Sequence, residues 1–282
     1  MPDDLVRFAT AEEKSDVQGM HEANRSAWNE GALRYKEELE ATIAFLRGGG
    51  ANLSPPERDI LGPLRGQVGV AVHLQCASGK DSLSLLNFGV AREVIGVDIS
   101  DVHVENARKL AQALGAPARF VRADVLEVPE ELHGIADLLY TGKGALAWLQ
   151  DLKAWGRSVA KILRPGGRLY VFDSHPFSFL FDMDANHWRV AGYDYFGTVE
   201  ASKGWPSQYI GTLDRPDREL TWKFERIWTF ADIVSAVLQA GLSLERLDEH
   251  NVDYWEGFPR IPEAERKKMP LTFSLLARRD AE

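Results

Sequence analysis

The stretch VAVHLQCASGKDSLSLLNFGVAREVIGVDIS, from Val70 to Ser100, decides the fold. The apolar run Val68 to Leu74 predicts a buried parallel strand. Lys80 to Phe88 follows with helical spacing, and Glu93 to Val97 is apolar again. Strand, turn, helix and strand make a βαβ unit. The turn itself is unusual. Gln75-Cys76-Ala77-Ser78-Gly79 has a single glycine, so the dinucleotide fingerprint G-x-G-x-x-G is absent. Gly79 permits the sharp turn, whereas Gln75 is too large to let a pyrophosphate approach.

The same alternation continues outward from this unit. Asp101 to Leu114 predicts a helix stopped by Gly115, and Ala118 to Ala123 a third strand. Ala136 to Tyr140 is a fourth strand, Trp148 to Leu163 a helix, and Arg168 to Asp173 a fifth strand. Upstream, residues 20–46 carry apolar side chains at helical spacing as far as Gly48-Gly49-Gly50, and Ser54 is an N-cap candidate. After Asp173 the alternation gives way to aromatic residues and turn formers, with DRPDRE (214–219) as a turn. LTWKFERIWTF (220–230) alternates like a strand, Ala231 to Ala240 is a helix, and Leu242 to Leu247 and LTFSLLARR (271–279) are strands. We expect an N-terminal helical cap over 1–66, an α/β core over 67–173 and 229–282, and an inserted aromatic-rich lid over 174–228.

Composition narrows the function. The 282 residues carry a net charge of −9, which disfavours nucleic acid as a partner. Cys76 is the only cysteine, which suits a reducing cytoplasm. The N-terminus lacks the pattern of a signal peptide, and no apolar run is long enough to span a membrane. The seven histidines show no metal-ligand spacing, so no metal is expected.

Two carboxylates point to a ligand. Asp98 ends the second strand, 19 residues after Gly79, where it can accept from both hydroxyls of a ribose. Asp124 follows the third strand in RADV, where it can accept from an adenine amine while Val125 packs on the ring. Together they describe an adenosine slot without a phosphate cradle, which suggests S-adenosylmethionine.

On VHLQCASGKDSLSL, VIGVDIS, RADV, ADLLYTGKGALAWL and ILRPGGRLYVFDSHP the chain resembles class I S-adenosylmethionine-dependent methyltransferases. It is most similar to bacterial small-molecule enzymes whose first motif is LQC-x-x-G-x-D. The resemblance implies a Rossmann-like α/β fold with a seven-stranded, mostly parallel sheet and an antiparallel last strand. It places Gln75, Ala77 and Gly79 beside the methionine and ribose, Asp98 on the ribose, Ile99 on the adenine, and Asp124 and Val125 at the adenine edge. Thr141 would offer backbone contacts near the sulfonium, and Trp28 and Tyr35 are candidates over the methionine carboxylate. The chain departs from the family's commonest turn by lacking two glycines and by having His73 at an acidic position.

His175, just after the fifth strand, is the candidate base. Tyr140, Lys143 and His187 are candidate substrate contacts. The aromatics of 174–260, among them Phe177, Phe179, Trp205, Tyr209 and Trp255, suit an apolar, aromatic or cationic acceptor. The expected activity is methyl transfer to oxygen or nitrogen of a small molecule by a monomer or homodimer. An NAD-dependent oxidoreductase and a non-catalytic nucleoside-binding protein are the rivals.

Overall fold

The computed structural model describes residues 5–205, 210, 211, 213 and 216–281. Tyr209, and Asp214 and Arg215 of the expected turn, lie outside the described residues.

Strand β1 (Val6–Phe8) opens the chain and is followed by helix α1 (Ala11–Ser15). The expected helix over 20–46 forms as two, α2 (Val17–Glu37) and α3 (Leu39–Arg47). Glu38 separates them, its N–H turning back to the Tyr35 carbonyl at 3.2 Å. α4 (Pro55–Leu61) starts in a capping box between Ser54 and Glu57. The βαβ unit forms as read, with β2 (Val68–Leu74), α5 (Lys80–Asn87) and β3 (Ala91–Asp98). α6 (Asp101–Leu114), β4 (Ala118–Arg122) and β5 (Ala136–Gly142) continue the alternation. α7 (Leu152–Ile162) begins later than expected because the Asp151 side chain caps it, accepting from the Ala154 N–H at 2.9 Å. β6 (Leu163–Ser174) completes the parallel set.

Beyond β6 come β7 (Val199–Ser202), β8 (Lys223–Arg226), α8 (Phe230–Gln239), β9 (Leu242–His250), α9 (Glu263–Arg266) and β10 (Thr272–Arg279). The main sheet has seven strands in the order β4-β3-β2-β5-β6-β10-β9. Only β10 runs antiparallel to its neighbours. One face packs Val72, Leu74, Ile95, Val97 and Leu139 against Trp155 and Val159 of α7 and Ile233 and Val237 of α8. The other packs Ala71, Val94, Leu138 and Tyr140 against Ile60 and Leu61 of α4 and Leu85 of α5. Burial on both faces is why these strands read as continuous apolar runs.

The region over the strand ends differs from the expectation in one respect. The segment 1–66 is not wholly helical. Its strand β1 pairs with β7, Arg7 opposite Ala201, and β7 pairs with β8 in a separate three-stranded antiparallel sheet. This small sheet is therefore built jointly by residues 6–8 and residues 199–226. Among the described residues no helix is long and apolar enough to cross a membrane.

Candidate active site

The glycine-poor turn takes a glycine-like path. Gln75 has φ +56° and Ala77 φ +45°, both left-handed, beside Gly79 at +83°. Such a conformation costs an L-residue about 1–2 kcal/mol relative to glycine. At Gly79 no side chain fits, since a Cβ would come within 2.9 Å of the Phe120 ring and 3.0 Å of Ala107 Cβ. The turn is tied to the end of the neighbouring strand β3. The Cys76 N–H donates to the Val97 carbonyl at 3.0 Å, and the Ala77 N–H donates to Asp98 Oδ2 at 2.8 Å.

Asp98 also accepts from the Ser100 N–H, through Oδ1, at 2.9 Å. Burial outweighs these hydrogen bonds and pushes its carboxyl up to about 6. Asp124, at the end of the neighbouring strand, accepts from the Leu126 N–H at 2.9 Å. Its other oxygen lies 2.8 Å from His21 Nδ1 on α2. His21 Nε2 accepts the Gln150 N–H at 3.2 Å, which assigns the ring proton to Nδ1 and makes that nitrogen the donor to Asp124. Both carboxylates, with Gln75, Ala77, Gly79, Ile99 and Val125, line one cavity of about 510 Å³. Gln75 donates from Nε2 to the Ala145 carbonyl at 2.7 Å, while its Oε1 is buried with no hydrogen-bond partner. That unpaired acceptor, two carboxylates at adjacent strand ends and apolar Ile99 and Val125 beside them form a donor and acceptor set that fits an adenosine carrying an amino acid.

Trp28 and Tyr35, both on α2, line the same cavity. Their rings lie 5.4 Å and 5.0 Å from His103, which donates or accepts at Nδ1 with Ser78 Oγ and leaves Nε2 unpaired. Thr141 does not reach the cavity. It is wholly buried, and its Oγ1 donates to the Leu74 carbonyl at 3.3 Å, leaving Gly142 to form the wall. Lys143 does line the cavity, at φ +57°. Its Nζ donates to the Asn52 carbonyl at 2.5 Å and lies 3.3 Å from both Glu57 and Asp81.

Three further expected residues lie off the cavity wall. Tyr140 does not line the cavity. Strand alternation turns it beneath the sheet, where it is fully buried and donates to Glu57 Oε1 at 2.6 Å. His175 does not line the cavity either. It lies outside the cavity wall, stacked on Phe230 at 5.0 Å, with Nδ1 accepting the Phe177 N–H and Nε2 2.8 Å from Glu249. Its neighbour Ser174 takes the cavity-facing position. His187 is exposed, away from the cavity, paired with Asn186.

Other residues of the wall, Trp255 apart, carried no local signal. His21 and Asn24 come from α2, Glu225 from β8, and Tyr254 and Trp255 from the loop after β9. Asn24 clamps β8 by accepting the Phe224 N–H at 2.6 Å and donating to the Phe224 carbonyl at 2.9 Å. His73 lines the cavity at the family's acidic position. Burial holds its imidazole down to about 4, hence neutral, with Nδ1 2.8 Å from Ser82 Oγ. Asp81, on α5, lies on the same wall, 3.3 Å from Lys143 Nζ. Asp173 pins the loop after β5, accepting from the N–H groups of Gly144 at 2.6 Å and Leu146 at 2.9 Å.

Residues 71–167 match the methyltransferase domain family. The demethylmenaquinone methyltransferase of Thermus thermophilus is 32% identical over 105 residues, 36% of this chain and 47% of that protein. The chain thus spans about half the length of this curated relative. Among solved structures, the S-adenosylmethionine-dependent methyltransferase from Mesorhizobium loti superposes with a TM-score of 0.58 at 22% identity, covering 82% of this chain and 99% of that one. The geranyl diphosphate C-methyltransferase from Streptomyces coelicolor, solved with S-adenosyl-L-homocysteine, superposes with a TM-score of 0.50 at 16% identity, covering 79% and 75%. The sheet order and these superpositions show a fold shared with those structures, and the stretch 71–167 is what matches the methyltransferase domain family. Outside the matched stretch the chain adds N-terminal helices and the separate three-stranded sheet of β1, β7 and β8.

Proposed function

We propose that the protein transfers a methyl group from S-adenosylmethionine to oxygen or nitrogen of a small-molecule acceptor. The reading is carried by Asp98 and Asp124, on adjacent strand ends, facing one cavity with no phosphate cradle between them. Asp98 would take the ribose hydroxyls and Asp124 the adenine amine, with Ile99 and Val125 on the base. Gln75 Oε1, unpaired in the protein, would accept from the amino-acid end. Bound there, the cofactor supplies a sulfonium methyl that is already electrophilic. The residues around it then have to orient a nucleophile in line and keep water out.

Trp28 and Trp148, under the sheet formed by β1, β7 and β8, supply apolar walls for that purpose. We take 174–228 together with β1 as the substrate lid. The single, buried Cys76 suits a reducing cytoplasm.

Calorimetry with S-adenosylhomocysteine and with NAD tests the reading. Binding of the first and not the second is expected, and the reverse result would overturn it. A gain of one CH2 unit in an acceptor screen read by mass spectrometry would then identify the product.

A further inference from the structure

We propose that Glu225 receives the ammonium group of an amine acceptor, between tryptophan walls, and takes its proton before methyl transfer. This rests on the methyltransferase reading and names the acceptor class for it.

Glu225 lies on β8 and lines the cavity from the lid side. No described residue donates a hydrogen bond to its carboxylate, whereas Asp81, Asp98 and Asp124 on the same wall each accept at least one and Glu38, also on the wall, has Arg34 at 3.7 Å. Its cross-strand partner on β7 is Glu200, so two carboxylates sit side by side. Glu200 is engaged by the Tyr193 hydroxyl. Lys223, two residues away on the same face of β8, is the nearby cation. Its Nζ donates to Ser202 Oγ at 2.5 Å and lies 5.2 Å from the Trp205 ring, and it makes no ion pair with Glu225 within 4 Å. One lysine for two carboxylates leaves an excess negative charge at the cavity wall. Burial and Glu200 push the Glu225 carboxyl up to about 7, against the pull of Lys223, which suits a group that exchanges a proton near neutrality.

The surrounding walls favour the same ligand. Trp28 packs 5.0 Å from Trp148 and 4.4 Å from Trp205, and Trp28 and Trp148 both line the cavity, as do Tyr254 and Trp255. Aromatic faces beside a carboxylate recognise a cation. The step balances as follows. The ammonium gives one proton to the Glu225 carboxylate and becomes a neutral amine. The amine lone pair forms the new C–N bond as the S–CH3 bond breaks, and that bond's electrons remain on sulfur. The methylated product leaves as an ammonium, and the Glu225 proton returns to water.

The test uses the full chain saturated with S-adenosylhomocysteine. Choline and its uncharged carbon isostere, 3,3-dimethylbutan-1-ol, are titrated into it by calorimetry. Choline should bind about tenfold or more tightly. Glu225→Gln should abolish most of that preference without changing affinity for S-adenosylhomocysteine. No preference in the natural protein, no choline binding at all, or a preference that survives in Glu225→Gln would overturn the proposal. A second arm follows labelled methyl transfer to tyramine, tryptamine and benzylamine and to the matched alcohols. Methylation at nitrogen is expected, and methylation confined to hydroxyl groups would overturn it. Failure of S-adenosylhomocysteine itself to bind would instead sink the methyltransferase reading.

Discussion

If Asp98 takes the ribose as proposed, cofactor affinity should depend on pH, in a direction the structure sets. Asp98 is buried, and its carboxyl is pushed up to about 6. Two of its lone-pair sites are occupied by the N–H groups of Ala77 and Ser100. The remaining sites accept ribose hydroxyls well only when the group is ionised, so binding favours the ionised form and releases protons. Affinity is therefore full above about 6 and lost as pH falls through it. With this value the group is about nine-tenths ionised at pH 7 and about one-tenth at pH 5, so the association constant for S-adenosylhomocysteine should fall roughly tenfold, about 1.3 kcal/mol. Calorimetry from pH 5 to 7.5 measures this directly. Repeating it at pH 6 in two buffers of different ionisation enthalpy should show about half a proton released per ligand. Asp98→Asn is the control, because Glu225 titrates in the same cavity. That variant should bind more weakly at pH 7 by about 1.5–3 kcal/mol and lose the slope centred near 6. A flat profile in the natural protein, or an unchanged slope in Asp98→Asn, would refute the assignment.

Adjacent positions in the turn should respond oppositely to the same atoms. Ala77→Gly removes left-handed strain at the cost of a freer unfolded chain, and should stabilise by up to about 1 kcal/mol. Gly79→Ala adds that strain and a clash with Phe120 and Ala107, and should destabilise by about 2–5 kcal/mol in urea unfolding. His175→Ala should lower stability by about 1–3 kcal/mol, through the lost Phe230 stack and Phe177 cap, and leave turnover per folded molecule unchanged. A large fall in turnover would restore that histidine to the mechanism. Lys143→Met strands Glu57 in the interior without its cation and should cost about 3–5 kcal/mol. Adding Glu57→Gln should recover part of that loss, and strict additivity of the two changes would exclude the pairing.

Much of the main sheet was legible because its rules are local. β2 and α6 have the ends that their apolar period and stop signals gave. The carboxylates were legible because the last residues of parallel strands, here Asp98 and the residues before Asp124, must project toward the same edge. Thr141 and Tyr140 lie off the cavity wall for a related reason. Position along a strand places the residue at the edge, but pleating decides the face. Tyr140 shares the face of Leu138 and is carried under the sheet to Glu57. His175 failed because one residue past the strand end is enough to turn a side chain out of the cleft, and Ser174 holds the inward position.

On the other side of the cavity the strand was legible in 220–230, but its place beside the cavity was not. Glu225 alternates unremarkably within KFER, and its placement depends on Asn24, 201 residues earlier, holding the backbone of β8 at Phe224 against α2. The same helix delivers His21 to Asp124 and Trp28 to Trp148. α2 is therefore the common wall of the nucleoside end and the proposed acceptor end. A substitution there, unlike one in the turn, couples both ends of the cavity, because residues sharing one rigid element and its partners do not behave independently. Combining Asn24→Ala with Asp98→Asn should accordingly depart from additivity in S-adenosylhomocysteine affinity by more than about 0.5 kcal/mol. Additive losses would mean that the lid strand and the ribose carboxylate are energetically separate, despite the helix they share.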